Sequence, residues 1–315
     1  MGWCLFASDC SFPDGNNREI SMAGKTRLAV AIATLGRPDT VAENIEILRR
    51  QSRPADRILL SVTGPEDLPD NIDMTGIETV FGSKGLCAQR NRALDALQED
   101  VDYIIFFDDD YVASKFALER IEAYFNDNPD IVGIMGHVLA DGIKGPGIKY
   151  AEACRIVEAY DAKPRPPVRE FGESDGLYGC NMAYRASAIG ETRFDENLLY
   201  YGWLEDNDFS NQLLGRGRLV HTNAFAGVHC GVKTSRSPGL RLGYSQIANP
   251  VYLMKKGTLP KHKAWTMMSR NMLANHARTV APEPWVDRWG RAKGNWLAIR
   301  HALTGKISPT YIQHL

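Results

Sequence analysis

Three consecutive carboxylates, Asp108-Asp109-Asp110, follow directly on the apolar run Tyr103-Ile-Ile-Phe-Phe107. Like charges packed this closely repel one another, and the arrangement is tolerable when a cation neutralises them or water solvates them. Carboxylate oxygens are hard ligands, so the chemistry expected of the triplet is a divalent metal site for Mn2+ or Mg2+. A solvated acidic turn is the alternative. The position of the triplet, after the most apolar strand of the chain, favours the site, because ligands of open α/β sheets collect at strand C-terminal ends.

A second acidic cluster, Trp203-Leu-Glu-Asp-Asn-Asp208, opens a helical segment. Negative charge at a helix N-terminus is favoured by the macrodipole without any further purpose. An aspartate there could also serve as a general base. The dipole favours its ionised, proton-accepting form, while Glu205 and partial burial oppose it. His229 lies in Gly227-Val-His-Cys-Gly231, where flanking glycines leave room for a ligand; a structural role is the other reading. Lys84, Arg90 and Arg92 stand where a strand passes into a helix. They read either as solvated helix charge or as cations that neutralise a phosphate at the helix N-terminus.

Other motifs fail. Gly24-Lys25-Thr26 lacks the upstream glycine and strand of a P-loop. No GxGxxG follows the first apolar run, which argues against a dinucleotide dehydrogenase, and no GxSxG points to a hydrolase.

The elements that must position these residues follow from apolar runs and their spacing. Arg27–Ala33 reads as a buried strand, broken by Gly36-Arg37-Pro38-Asp39, with Pro38 in the first turn of a helix over 39–51. Strands are expected at Arg57–Val62, Glu78–Phe81, Tyr103–Phe107 and Asp130–Gly136. Helices are expected at Leu86–Leu97 and after Ser114, whose side chain suits a cap. This alternation predicts an open, twisted, mainly parallel sheet flanked by helices on both faces. Beyond residue 137 the pattern loosens. A helix over 205–214, a strand pair within Leu219–Val228 and a helical segment beyond 245 remain legible.

Composition bounds the reading. The 315 residues carry 37 Lys and Arg against 38 Asp and Glu, with 44% hydrophobic and 24% charged residues. These are ordinary globular values, and no global basic field exists to hold nucleic acid. The six cysteines, Cys4, Cys10, Cys87, Cys154, Cys180 and Cys230, form no CxxC pair and fit a reducing compartment. No apolar run reaches about 18 residues, so no transmembrane helix is expected. Residues 1–25 read as a poorly ordered lead-in without a signal peptide, with Met22 an alternative start.

Taken together, these segments resemble the inverting family 2 glycosyltransferases of the GT-A fold. The resemblance runs over roughly residues 26–235. It rests on Thr34-Leu-Gly-Arg-Pro38 after the first strand, Gly85-Leu-Cys-Ala-Gln-Arg-Asn-Arg-Ala93, the DxD-like Ile104-Ile-Phe-Phe-Asp-Asp-Asp110, Gly179-Cys-Asn-Met-Ala-Tyr-Arg185, and Phe194-Asp195-Glu196 followed by Glu205-Asp206. It implies a GT-A domain over 26–245, with a nucleotide-sugar half (26–136) and an acceptor half (137–245), and a helical C-terminal extension over 246–315. It also implies metal-dependent transfer of a sugar from a nucleotide-diphosphate donor, a UDP-sugar before others, to a hydroxyl of a glycan or lipid-linked glycan, in bacterial polysaccharide or glycoconjugate synthesis.

Carried over by position, Asp206 is the catalytic base and Glu205 its neighbour on the acceptor or donor sugar. Asp110 and His229 hold the metal, with Asp109 the alternative ligand. Thr34, Arg37, Ser61, Thr63, Lys84, Gly85, Arg90, Asp108 and Asp109 face the nucleotide sugar. Gly179, Asn181 and Trp203 lie on the acceptor side. A sugar nucleotidyltransferase is a competing reading, but the glycine-rich basic signature it requires is reduced here to Gly36-Arg37. A non-catalytic nucleotide-sugar-binding module is another, opposed by intact metal and base candidates.

The segment Arg291–Pro309 resembles tails of some polysaccharide-building members. Trp285, Trp289 and Trp296 accompany Arg288, Arg291, Lys293 and Arg300 there. Packing of the indoles on their own domain is the first reading. Peripheral contact with the inner face of the membrane, by an otherwise cytoplasmic enzyme, is the second.

Overall fold

The structure, a computed structural model, describes residues 25–234 and 238–315. The lead-in expected over residues 1–25 lies outside the described residues apart from Lys25, as do Cys4 and Cys10. In chain order the elements are β1 (Leu28–Ala33), α1 (Pro38–Arg49), β2 (Arg57–Val62), β3 (Ile77–Phe81), α2 (Leu86–Leu97), β4 (Tyr103–Phe107), β5 (Tyr111–Ala113) and α3 (Ala117–Asp127). There follow β6 (Ile131–Asp141), α4 (Tyr150–Asp161), β7 (Glu170–Glu173), β8 (Asn181–Arg185), α5 (Ala186–Ile189), α6 (Glu205–Leu213) and β9 (Arg218–His229). Three helices close the chain: α7 (Gly239–Lys256), α8 (Lys261–Ala277) and α9 (Arg288–Leu303).

The strands form one sheet in the order β3-β2-β1-β4-β8-β6-β9-β5, with β7 paired to β9. β1, β2, β3, β4, β6 and β9 run one way, and β5, β7 and β8 the other. β1 and β4 are central and covered on both faces, which is why their sequences are continuous apolar runs. Alternate residues serve the two cores. Leu28, Val30 and Ile32 of β1 and Tyr103, Ile105 and Phe107 of β4 pack under α1 and α3. Ala29, Ala31, Ile104 and Phe106 pack on the other face with Leu94 and Leu97 of α2 and Phe209 of α6.

Three local readings of the sequence change. The strand expected to stop at Gly136 continues to Asp141. Gly136 sits inside the strand because a side chain there would meet the Phe225 ring, 2.5 Å from its Cβ position. The expected strand pair within Leu219–Val228 is a single long strand, β9, which accommodates β6 through register shifts. Ser114 does not occupy the N-cap of α3; Phe116 does. The Ser114 hydroxyl instead donates to Asp161 of α4 at 2.5 Å and accepts the Phe116 N–H at 3.2 Å.

The three C-terminal helices have their own small core around Tyr244, Ile247, Met268, Ala298 and Ile312. A buried polar knot joins them. Asn275 donates to Gln246 and Asn295 at 2.8 and 3.0 Å, Arg288 donates to Asn275 at 3.0 Å, and Asn295 donates to the Gly243 carbonyl at 2.6 Å. The indoles of Trp285, Trp289 and Trp296 take no part in this core; they are exposed, contrary to the packing expected of them. Among the described residues no helix is long and apolar enough to cross a membrane.

Candidate active site

Strand register assembles the first group of side chains. β9 lies between β6 and β5, with Tyr111 opposite His229 on one side and Asp141 opposite His229 on the other. Asp110, one residue before Tyr111, accepts the Cys230 N–H on its carbonyl at 3.0 Å. His229 is therefore flanked by a carboxylate from each neighbour. Its Nδ1 is 2.9 Å from Asp141 Oδ1, and its Nε2 is 3.5 Å from Asp110 Oδ1 and 3.9 Å from Asp108 Oδ2. Burial by itself would lower the His229 pKa, but Asp110 and Asp141 outweigh it and hold the imidazole up at about 10. Asp110 stays below the usual carboxylate range, against burial, through His229 and the Val232 N–H that donates to it at 2.7 Å.

Ligand atoms of Asp108, Asp110 and His229 lie within 4.8 Å of one another. Two hard carboxylates and one imidazole fit a divalent ion, which would supply the positive charge that the imidazolium otherwise brings to these carboxylates. Asp141 stands behind Nδ1, where an outer carboxylate fixes the tautomer and ring orientation of a ligating histidine. The Tyr178 hydroxyl donates to Asp141 Oδ2 at 3.1 Å and steadies it.

Asp109 turns away from this cluster. Its two oxygens accept from Thr34 Oγ1 at 2.7 Å and from the Arg37 guanidinium at 2.8 Å. Burial raises its carboxyl to about 6 while Arg37 pulls the other way. Of the two ligands the sequence left open, geometry thus brings Asp110 to the cluster and commits Asp109 to the loop after β1. The turn holding all three aspartates is fixed by Asn44 of α1, whose amide donates to the carbonyls of Asp108, Asp109 and Tyr111 at 3.1, 3.1 and 3.2 Å.

The second group gathers at the start of α6. Tyr200 and Leu204 have positive φ values of 57° and 75°. Left-handed backbone at such residues costs about 1–3 kcal/mol each, and it aims the intervening segment, with Tyr201 and Trp203, at the cleft. Arg90 of α2 joins the two groups. It is buried and donates to Glu205 Oε1 at 2.5 Å, to Asp108 Oδ1 at 3.2 Å and to the Gly179 carbonyl at 2.9 Å. Burial pushes the Glu205 carboxyl up to about 8 in spite of Arg90. Asp206 is half-buried, and its Oδ2 accepts the Gly179 N–H at 2.9 Å. A Cβ at Gly179 would lie 3.1 Å from that oxygen, so glycine permits the close approach.

A cleft of about 410 Å3 collects these residues. Thr34, Arg37, Lys84, Gly85, Arg90, Asp108, Asp109, Asp110, Gly179, Trp203, Glu205, Asp206 and His229 all line it. Three residues singled out from the sequence stand behind it. Ser61 is fully buried, and its carbonyl accepts from Thr34 and Gln89 at 3.2 and 2.7 Å. The Thr63 hydroxyl donates to Asp67 at 2.8 Å. Asn181, also fully buried, donates to the Tyr111 hydroxyl at 3.1 Å. Asp141, Asn44, Tyr178 and Arg241 carry no local motif and were not singled out. The one available signal was the continuation of β6 past Gly136, which delivers Asp141.

The sequence model of glycosyl transferase family 2 matches residues 29–193, more than half of the chain. The chain belongs to this family. It is accordingly a glycosyltransferase, and its sheet and flanking helices are those of a GT-A fold. No curated protein matches the chain at a significant level. Among solved structures, residues 1–349 of S. aureus TarS share 14% identity with a TM-score of 0.50, over 92% of this chain and 87% of that one. The same TarS fragment in complex with UDP-GlcNAc shares 13% identity with a TM-score of 0.50, over 89% and 93%. Mannosyltransferase PcManGT from Pyrobaculum calidifontis, in complex with GDP-Man and Mn2+, shares 13% identity with a TM-score of 0.50, over 92% and 86%. At these identities the likeness is one of fold. The chain spans 44% of the length of a longer S. aureus TarS structure.

Proposed function

We propose that this family 2 member is a metal-dependent, inverting glycosyltransferase that uses a nucleotide-diphosphate sugar and a hydroxyl acceptor. The observation that carries the reading is one cleft holding both the Asp108–Asp110–His229 cluster and Asp206. Asp108, Asp110 and His229 would hold a divalent ion, Mn2+ or Mg2+, which would supply Lewis-acid stabilisation to a diphosphate leaving group. Lys84 and Arg37 add positive charge to the same cleft, and Thr34 and Gly85 line the donor side. Asp206 takes the proton of the acceptor hydroxyl. That oxygen bonds to the anomeric carbon as the bond to the diphosphate oxygen breaks on the opposite face, so the configuration inverts and nucleoside diphosphate leaves. Arg90 spans Glu205, Gly179 and Asp108, and so sets the distance between base and cluster.

Trp203, with Tyr200 and Tyr201, brings aromatic surface to the acceptor side, suited to the apolar faces of a glycan or lipid-linked glycan. A UDP-sugar is the first donor to test, and bacterial polysaccharide or glycoconjugate synthesis the setting. Substitution Asp206→Asn keeps shape and removes basicity. Turnover should fall by about 100-fold or more with donor affinity nearly unchanged, read by nucleotide release and by calorimetry. Collapse of donor affinity with turnover surviving at saturation would make Asp206 a binding residue and overturn the assignment.

A further inference from the structure

Charge is segregated along this chain. Between Pro238 and Leu315 there are 12 Lys and Arg and only two acidic residues, Glu283 and Asp287, whereas the whole chain has a net charge of -1. Both acidic residues are engaged locally. Glu283 accepts from Arg278 and Arg288, and Asp287 accepts the Gly290 N–H at the start of α9. Neither α8 nor α9 contains an Asp or Glu. Lys261, Arg270, Lys293, Arg300 and Lys306 form no ion pair among the described residues, and all are exposed.

Apolar surface coincides with this charge. On α9 the exposed residues Trp289, Lys293, Trp296, Arg300 and Leu303 recur at intervals of four and three, which makes one stripe along the helix. Trp289 is 61% exposed, Trp296 59% and Leu303 85%. α8 adds Trp265 at 62% and Leu273 at 72%, and Val280 follows at 91%. The Trp296 ring meets His276 of α8 edge-on, at 5.8 Å between centroids, so the two helices present neighbouring surfaces. The opposite face of α9 is buried on α7 through Gly294, Asn295 and Ala298. The outward face is thus fixed in orientation and has no partner within the described chain.

We propose that this face of α8 and α9 docks on the surface of an anionic lipid bilayer. Indole rings and aliphatic side chains enter the interface while interleaved cations meet anionic headgroups. Single-stranded nucleic acid also selects cations and aromatic rings. It has no use for exposed Leu273, Val280 and Leu303, which cannot stack on bases. α7 runs from the cleft, where Arg241 lines the wall, to its contact with α9. The docked face and the active cleft therefore belong to one body, and docking orients the cleft relative to the membrane.

The test is sedimentation of the full chain with vesicles of phosphatidylcholine alone or mixed with phosphatidylglycerol. It makes no use of transfer activity, so it stands or falls separately from the enzymatic reading. The intact chain should sediment with the mixed vesicles at low salt, with a blue shift of indole fluorescence, and should dissociate as salt rises. Combined Lys293→Gln and Arg300→Gln should weaken partitioning by about 25-fold, at roughly fivefold per cation. Trp289→Ser with Trp296→Ser should weaken it and reduce the blue shift, which Trp265 still reports. These exposed side chains lie outside the cleft, so each variant should keep native circular dichroism and nucleotide release. No sedimentation of the intact chain at low salt would overturn the proposal. So would undiminished sedimentation of both variants, or binding to an RNA oligonucleotide without binding to vesicles.

Discussion

Asp141 illustrates how much a site can depend on a residue that no motif announces. Its Oδ1 faces His229 Nδ1 at 2.9 Å and its Oδ2 accepts from Tyr178 at 3.1 Å, so the imidazole is held with Nε2 toward Asp110. Substitution Asp141→Asn retains shape but replaces the carboxylate acceptor with an amide. Mn2+ affinity, read by calorimetry on the donor-free protein, should fall by about 10- to 100-fold, the usual loss when an outer carboxylate behind a ligating histidine is removed. His229→Ala should fall at least as far. Unchanged Mn2+ affinity in both would return His229 to a structural role. The same scale explains why the aspartate triplet is ambiguous in sequence and resolved in space. Adjacent side chains in a turn point in different directions, and Thr34 and Arg37, in the loop after β1, claim Asp109 from 75 and 72 residues away in the chain.

At the scale of elements, α6 carries Asp206 and must hold its place. Two residues on, Asp208 is fully buried, and it accepts from Lys256 of α7 at 2.7 Å and from Thr258 at 2.5 Å. Lys256 reaches Asp195 as well, at 2.7 Å, which ties the segment before α6 to its first turn. Substitution Lys256→Met leaves a carboxylate buried without its cation. It should cost about 3 kcal/mol in denaturant unfolding, the lower end for breaking a buried pair, because Thr258 still donates. A loss under about 1 kcal/mol would show that Asp208 is stabilised by hydrogen bonding alone. The first four parallel strands, α1, α2 and α3 were legible because each buries a regular apolar pattern: Leu28 to Ile32 alternate between two cores, and Val41, Ile45 and Leu48 recur at helical spacing. The second half was less legible for physical reasons. β6 contains Gly136, which reads as a break and is in fact a seat for Phe225. β9 is bulged, so its period of two is interrupted. Among the site residues, those inside compact motifs, Asp108, Asp110 and Asp206, reached the cleft, whereas Ser61, Thr63 and Asn181 turned inward to neighbours that only the fold supplies.

At the scale of the whole molecule, a sheet of nine strands among the described residues brings the Asp108–Asp110–His229 cluster and Asp206 to one cleft, and three helices add a cationic, tryptophan-bearing face to the same body. The carboxylate cluster calls for positive charge beside it, and in the proposed reaction a divalent ion would provide that charge during glycosyl transfer. The most direct measurement is release of nucleoside diphosphate from a panel of nucleotide-diphosphate sugars, with the native chain in excess EDTA and then titrated with Mn2+ or Mg2+. Release should be lost in EDTA and recover on metal addition for the native chain, with no recovery for Asp110→Ala at the same metal concentration. Full turnover in excess EDTA would contradict metal dependence.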